Sequence, residues 1–435
     1  MHPVLGALYG AAGHVARGLA AVVPPSDAKW ARALRARRGV LGRWAGWARA
    51  ARDPARPLLW VHAPSVGEGL QARPVLELAR ARRPELQIVY SHFSPSAAAF
   101  ARGLVERGTA DFADYLPFDT AGESAALLDA LRPRALVFSK LDVWPTLARE
   151  AAERGVRLGL VSATLAAGSS RRRGLAATLL RDAYARLDRV GAIDPADAER
   201  LAALGVRPAA LRVTGDTRYD QVWARARAAD RAAPLLSPYA GGAPRFTLVA
   251  GSTWPADEGP LLAAWARIAA ASGPERPRLV IAPHEPTPAH LAPVERWAAG
   301  MGLALARLGA PDAPDADVVL VDRVGVLGDL YALADAAYVG GGFHAAGLHS
   351  VLEPAAFGAP VLFGPRHAAS RDAGLLLASG GGVDVAGADD IAARLARWRA
   401  ERAALRRAGD AARAVVEAGL GAAERSLALV EELLA

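Results

Sequence analysis

The feature that most limits what this chain can become is an alternation. Short apolar runs, each closed by a turn of small residues, are separated by longer stretches of helical pattern. Leu58 to His62 is the first such run, followed by a turn over Ala63–Gly67 and a helix expected from Glu68 to Arg83. Gln87–Ser91, Ala135–Ser139, Arg157–Ser162 and Arg189–Ile193 repeat the pattern. Runs this short read as buried strands, and strands alternating with helices predict a parallel sheet with helices on both faces. The pattern lapses over Ala226–Arg245, which is rich in Ala, Pro and Gly and is the expected linker. It resumes with Phe246–Ala250, Arg278–Ala282, Asp317–Val321, Ala336–Val339 and Pro360–Phe363, and a helical tail closes the chain from near Asp390. A chain of 435 residues holds two such cores. The predicted organisation is an N-terminal basic helical segment (1–55), a Rossmann-like domain (56–225), a linker (226–245) and a second Rossmann-like domain with closing helices (246–435). The expected fold class is α/β, with two domains facing a central cleft and ligands at the carboxyl ends of their strands.

Composition narrows the partners. The formal charge is +8, and Lys29 and Lys140 are the only lysines. An excess of arginine favours an acidic partner: phosphorylated lipid, an anionic membrane surface or nucleic acid. Sparse aromatics and the lack of a recognition motif set nucleic acid aside. Cysteine is absent, which removes disulfides, thiolate nucleophiles and thiolate metal sites together. Val4 to Val23 is apolar on balance but carries His14, Arg17 and four glycines, with no clean cleavage site after it. It reads as an interfacial or domain-packed helix rather than a secretory signal, with a membrane span as the lesser alternative. Lys29, Arg32, Arg35, Arg37, Arg38, Arg43, Arg49 and Arg52 follow, with Trp30, Trp44 and Trp47 among them. Arginine with tryptophan suits a lipid headgroup layer; the alternative is a solvated helix face with tryptophan packed inward.

Six motifs fall at predicted strand ends or at the linker. In HAPSVGEG (His62–Gly69), Glu68 stands at a helix start, either as a base on a bound hydroxyl or as a partner of the helix dipole. SKLDVWP (Ser139–Pro145) sets Asp142 beside Lys140, as site residues or as a surface ion pair. GDTRYD (Gly215–Asp220) offers Arg218 to a phosphate, or braces the hinge. In AGSTWPADE (Ala250–Glu258), Ser252 and Thr253 precede a proline-started helix, a geometry suited to phosphate. IAPHEP (Ile281–Pro286) carries His284 out of a buried strand. The last, Tyr338–Pro365, runs from three glycines through His349 and Ser350, expected to open a helix, to Glu353. Gly341 and Gly342 permit close backbone approach there, and Glu353 can accept from ribose hydroxyls.

Assembled, these blocks resemble the 3-deoxy-D-manno-octulosonate (Kdo) transferases. FSPS (Phe93–Ser96) and YLPFDT (Tyr115–Thr120) add to the match, which runs from Leu58 to the end. The resemblance implies an inverting, metal-independent glycosyltransferase of the GT-B class that needs no cofactor. It would move Kdo from CMP-Kdo to a lipid A precursor at the cytoplasmic face of the bacterial inner membrane. Glu68 matches the general base, and Asp142 the second acidic position. Ser252, Thr253, His284 and Arg218 match donor phosphate or carboxylate contacts. Glu353 matches the ribose acceptor, with Gly341, Gly342, His349 and Ser350 around it. The chain departs from the family pattern at Ala282-Pro283-His284-Glu285, where the phosphate-binding arginine is missing. It departs again at Gly347-Leu348-His349-Ser350, which lacks an asparagine. The alternatives are a UDP-sugar transferase or epimerase of the same fold, or an inactive membrane-surface binding module.

Overall fold

The structure, a computed structural model, describes residues 3–26, 28–241, 245–273 and 276–435. Residues 242–244 of the expected linker and the side chain of Lys29 lie outside what is described. The chain divides into two compact units, Met1–Gln221 with Leu420–Ala435, and Val222–Gly419.

Unit 1 is built on seven parallel strands: β1 (Leu58–His62), β2 (Gln87–His92), β3 (Phe112–Tyr115), β4 (Ala135–Ser139), β5 (Arg157–Ala163), β6 (Arg189–Ala192) and β7 (Leu211–Val213). Their order is β3-β2-β1-β4-β5-β6-β7. Unit 2 also holds seven: β8 (Thr247–Thr253), β9 (Arg278–Pro283), β10 (Leu305–Arg307), β11 (Val318–Leu320), β12 (Ala336–Val339), β13 (Val361–Phe363) and β14 (Gly382–Asp384), ordered β10-β11-β9-β8-β12-β13-β14. In each sheet the first strand, β1 or β8, sits where the order reverses. That makes the crevices beyond β1/β4 and β8/β12 the natural ligand positions.

The central strands are those expected from sequence. The four that were not expected, β3, β7, β10 and β14, are the four sheet edges. Each is three or four residues long, and β3 and β7 have no buried position. An edge strand keeps one side open and needs no unbroken apolar run. Three further expectations need correction. The last helix, Ala422–Leu434, does not close the second domain: it packs in unit 1, its leucines joining the core beneath β1, β4 and β5. The unit boundary falls inside the helix Arg218–Ala228, before the expected linker, and Leu236 within that linker is buried in the core of unit 2. The helix read from His349 is a single turn, Leu352–Ala356.

The basic N-terminal segment is mostly structural. Trp44 is fully buried against Trp60 and Phe112, and its indole N–H donates to the Tyr115 carbonyl at 3.0 Å. Arg37 is buried under the Phe93 ring and donates to the Leu116 and Phe93 carbonyls, and burial lowers its pKa to about 10. Arg38 holds the Ala20 and Val23 carbonyls, and Arg43 pairs with Asp114. Of the three tryptophans, Trp30 is exposed.

The helix Pro3–Val22 is tied down by its polar side. Tyr9 donates to Asp119 at 2.8 Å, and Arg17 pairs with Glu123 at 3.1 Å. Val4, Leu8, Val15, Leu19 and Val22, spaced to share the opposite face at 3.6 residues per turn, are 53–76% exposed. An uncovered apolar stripe on an anchored helix inverts the usual amphipathic arrangement. No helix among the described residues is long and apolar enough to cross a membrane.

Candidate functional site

Each unit carries its own cluster at its sheet's reversal point. In unit 1, β1 runs through a turn into the helix Val66–Arg82, with Ser65 as its N-cap and Glu68 in its first turn. Ser65 and Glu68 stand at the spacing of a capping box, and the Ser65 hydroxyl donates to the Glu68 carboxylate. From the end of β4, Lys140 reaches the same carboxylate at 3.4 Å, and the Ser139 hydroxyl donates to the Glu68 carbonyl at 3.0 Å. Lys140 takes a left-handed backbone conformation (φ 70°) to do so, strain of the kind that gathers at functional sites. Burial works to raise the Glu68 pKa, but the Ser65 hydrogen bond and the Lys140 charge outweigh it. The pKa falls below the ordinary glutamate value, so the group is ionised at neutral pH.

The end of β1 also carries a hydrogen-bonded pair of rings, the buried His62 and the half-buried Trp144. The Trp144 indole N–H donates to His62 Nε2 at 2.9 Å, so His62 carries its proton on Nδ1, 2.9 Å from the Ser91 hydroxyl. Burial lowers the His62 pKa to about 3, so the ring is neutral. Asp142 is held by Arg171, a partner that sequence reasoning did not single out. Lys140, rather than Asp142, is the residue of its motif that contacts Glu68. Arg218 is closed back on Asp216 at 2.7 Å, and Asp220 caps the returning C-terminal helix through the Gly421 and Ala423 N–H groups, both at 2.8 Å. The GDTRYD motif therefore braces unit 1, whereas the other expected donor contacts all belong to unit 2.

In unit 2, β8 delivers Ser252, Thr253 and Trp254 to the start of the helix Pro255–Ala270. Ser252 has a positive φ of 53°. The Thr253 hydroxyl donates to Glu258 at 2.9 Å, so it is committed within the protein. The residue that organises the cluster is one the sequence did not single out, Asp257. It is fully buried and accepts from the Trp254, Gly341 and Phe343 N–H groups at 2.8–3.0 Å, and from the Tyr338 hydroxyl at 3.3 Å. One carboxylate thus pins the glycine loop after β12 to the helix start. Its sequence signal is its place at the third helical position, counting Pro255 as the first, where a side chain can reach back to the N-cap N–H.

The glycines do other work than expected. Gly341 has a φ of 94°, and a Cβ there would lie 2.1 Å from the Gly347 carbonyl oxygen; one on Gly342 would lie 2.3 Å from the Gly364 nitrogen. Gly341 permits the loop to pack closely on itself and Gly342 lets it pack on the backbone after β13, and the Gly341 N–H is spent on Asp257. His349 remains central, its Nε2 accepting from the Trp254 indole N–H at 3.1 Å. Ser350 is exposed before the short helix. Glu353 lies in that helix's single turn and takes no hydrogen bond among the described residues. Burial raises its pKa, offset in part by Arg225. A carboxylate with both oxygens unengaged suits a pair of ligand hydroxyls. Among the described residues, no group of three or more His, Asp or Glu is arranged to hold a metal ion.

Residues 33–221 match the family model described as 3-deoxy-D-manno-octulosonic-acid transferase (kdotransferase). The 3-deoxy-D-manno-octulosonic acid transferase of Bordetella pertussis is 32% identical over 427 residues, covering 93% of this chain and 95% of the relative. The chain belongs to the 3-deoxy-D-manno-octulosonic acid transferase family. The Chlamydia muridarum transferase is 28% identical over 76% of this chain and 75% of its own. Among solved structures, the UDP-GlcNAc 2-epimerase of Neisseria meningitidis superposes with a TM-score of 0.62 at 14% identity, covering 87% of this chain and 99% of that one. A glycosyltransferase from Rickettsia africae gives 0.56 at 10% identity, over 87% and 98%. At these identities the likeness is one of fold, the two-unit α/β fold of the GT-B kind.

Proposed function

We propose that this Kdo transferase moves Kdo from CMP-Kdo to a hydroxyl of a lipid A precursor, with Glu68 as general base and inversion at the anomeric carbon. The observation that carries the reading is Glu68 itself, an ionised carboxylate held by Ser65 and Lys140 at the reversal point of its sheet. Glu68 takes the acceptor proton as the oxygen attacks the anomeric carbon. The bond from that carbon to the phosphate oxygen breaks, and CMP leaves with the electron pair. Unit 2 holds the nucleotide: Glu353 accepts from the ribose, and Ser252 with the histidines near Trp254 meets the anionic groups. The test is binding of CMP against UDP, followed by transfer with CMP-Kdo.

Lys140 sets the base. Lys140→Met removes the cation that lowers the Glu68 pKa. A base works in its ionised form, so activity is lost as pH falls through its pKa. The acid limb of the pH–rate profile is therefore expected to move to higher pH in the variant, and an unmoved limb would show that Lys140 does not act on the base.

The helix Pro3–Val22 supplies the membrane contact in this reading. Its stripe of Val4, Leu8, Val15, Leu19 and Val22 faces outward with Trp30 also exposed, and the exposed Arg32 and Arg49 follow in sequence. Such a helix lies in the headgroup boundary of an anionic bilayer. Replacing Leu8, Val15 and Leu19 by serine is expected to lower binding to vesicles containing anionic lipid by at least about tenfold, with the fold kept because more than half of each side chain is exposed. Flotation of vesicles with the variant and the parent chain measures it, and equal recovery would remove the helix from the interface.

A further inference from the structure

Unit 2 sets its stacked rings, Trp254 with His284 at 4.6 Å and with His344 at 4.3 Å, among the groups already read as donor contacts. Unit 1 has a ring stack of its own that the chemistry above does not use. Phe93 leaves the end of β2 and Trp144 follows β4, so the two rings flank the end of β1. Their centroids are 5.2 Å apart and their planes 27° from parallel. Phe93 is 38% exposed, and among the described residues it is the one exposed aromatic ring at a strand end of unit 1.

Both rings are pinned. The Phe93 N–H donates to the Pro64 carbonyl at 3.0 Å, and its carbonyl accepts from Arg37 at 2.9 Å. The Arg37 guanidinium lies 3.8 Å from the centre of the same ring. Trp144 is fixed by a buried chain: its indole N–H donates to His62 Nε2, and His62 Nδ1 meets the Ser91 hydroxyl, which also accepts from Trp60 at 2.8 Å. The indole donor is thus engaged inside the protein, and what the pair offers a ligand is apolar ring surface.

The surroundings of the pair are polar. Pro64 immediately precedes Ser65, whose hydroxyl holds Glu68, so the turn that carries the base also ties down Phe93. Next along the chain, the Ser94 and Ser96 hydroxyls lie 2.8 Å apart. One proton serves the bond between them, which leaves the second hydroxyl proton for a ligand. An apolar face with hydroxyls at its rim matches a sugar ring, which has C–H groups on its face and hydroxyls at its edge. An acyl chain needs no such hydroxyls and is buried as well by leucine as by phenylalanine.

We propose that Phe93 and Trp144 form the platform on which the sugar ring of the acceptor stacks, presenting its hydroxyl to Glu68. The proposal rests on the acceptor reading above and adds to it the residues that orient the sugar. The negative ring faces attract the polarised C–H groups of a pyranose face, and the bonds from His62 and Arg37 leave the rings little freedom to lose on binding.

Acceptor kinetics test the platform, together with NMR saturation transfer from the full chain to the lipid A precursor stripped of its acyl chains. Phe93→Leu is expected to raise the acceptor KM about tenfold, with kcat within about twofold and CMP affinity unchanged, whereas Phe93→Tyr should keep the parent KM. Irradiating the aromatic protons should saturate the sugar C–H signals in the parent chain and in Phe93→Tyr, and far less in Phe93→Leu. Trp144→Leu should behave as Phe93→Leu does. It also strips His62 of a donor, so its melting is read alongside, and Phe93→Leu decides if it unfolds. The platform is overturned if Phe93→Leu keeps the parent KM, or if the stripped acceptor takes no saturation from the parent's rings. It is overturned as well if Phe93→Leu loses only the acylated acceptor, which would assign the rings to the acyl chains. Ring-dependent binding of the stripped acceptor by a parent chain that transfers no Kdo would sink the transfer reading and leave the platform standing.

Discussion

Replacing Glu68 by alanine is expected to reduce transfer by about a thousandfold, within the range that a positioned general base contributes, while CMP binding stays near that of the parent chain. The two effects separate because Glu68 belongs to unit 1, and the groups assigned to the nucleotide belong to unit 2. The fold should survive. The carboxylate sits in the first turn of a helix and contacts Ser65 and Lys140, so its loss costs about 1 kcal/mol as a missing cap and dipole partner. Glu68→Gln keeps the size and one acceptor but cannot take a proton, and it should be as inactive as alanine. Turnover retained in either variant would remove Glu68 from the chemistry and leave it a capping residue.

The second large effect is expected at Asp257. Alanine there leaves the N–H groups of Trp254, Gly341 and Phe343 without an acceptor in the interior. Unmade hydrogen bonds of this kind cost roughly 1–3 kcal/mol each. With some relief from entering water, about 3–5 kcal/mol of stability should be lost, together with CMP binding, because the glycine loop is no longer pinned. Asn at this position returns one oxygen but sets an amide N–H against backbone donors, so it should be nearly as damaging. Thermal melting alongside CMP titration checks both consequences. A variant that melts with the parent chain and binds CMP would mean that the loop is held by the close packing of Gly341 and Gly342 alone.

The two Rossmann-like sheets were legible because their central strands are buried on both faces and leave continuous apolar runs, as in Leu58–His62 and Ala336–Val339. Edge strands such as Leu211–Val213 leave no such trace. The tail Ala422–Leu434 is plainly helical by pattern, but nothing local says which core it covers; Asp220, about two hundred residues earlier, supplies the cap that brings it back. The same limit applied at the site. Glu68 and His284 follow the ends of β1 and β9, whereas His349 and Glu353 come from the long loop and the single-turn helix after β12. Thr253, Gly341 and Gly342 were read as ligand contacts, but Glu258, Asp257 and the loop backbone take up their donors or their space. Asp257 itself was missed because a carboxylate in the first turn of a helix looks the same in sequence whether it faces water or holds a loop. The tryptophans divided likewise: Trp30 is exposed, and Trp44 is core.

The account's central claim is tested most directly by incubating the chain with CMP-Kdo and a tetra-acylated lipid A precursor and weighing the lipid product. Addition of Kdo to the lipid, with release of CMP and loss of both in Glu68→Ala, is the predicted result. A lipid of unchanged mass beside a parent chain that binds CMP, or Kdo transfer undiminished in Glu68→Ala, would contradict it.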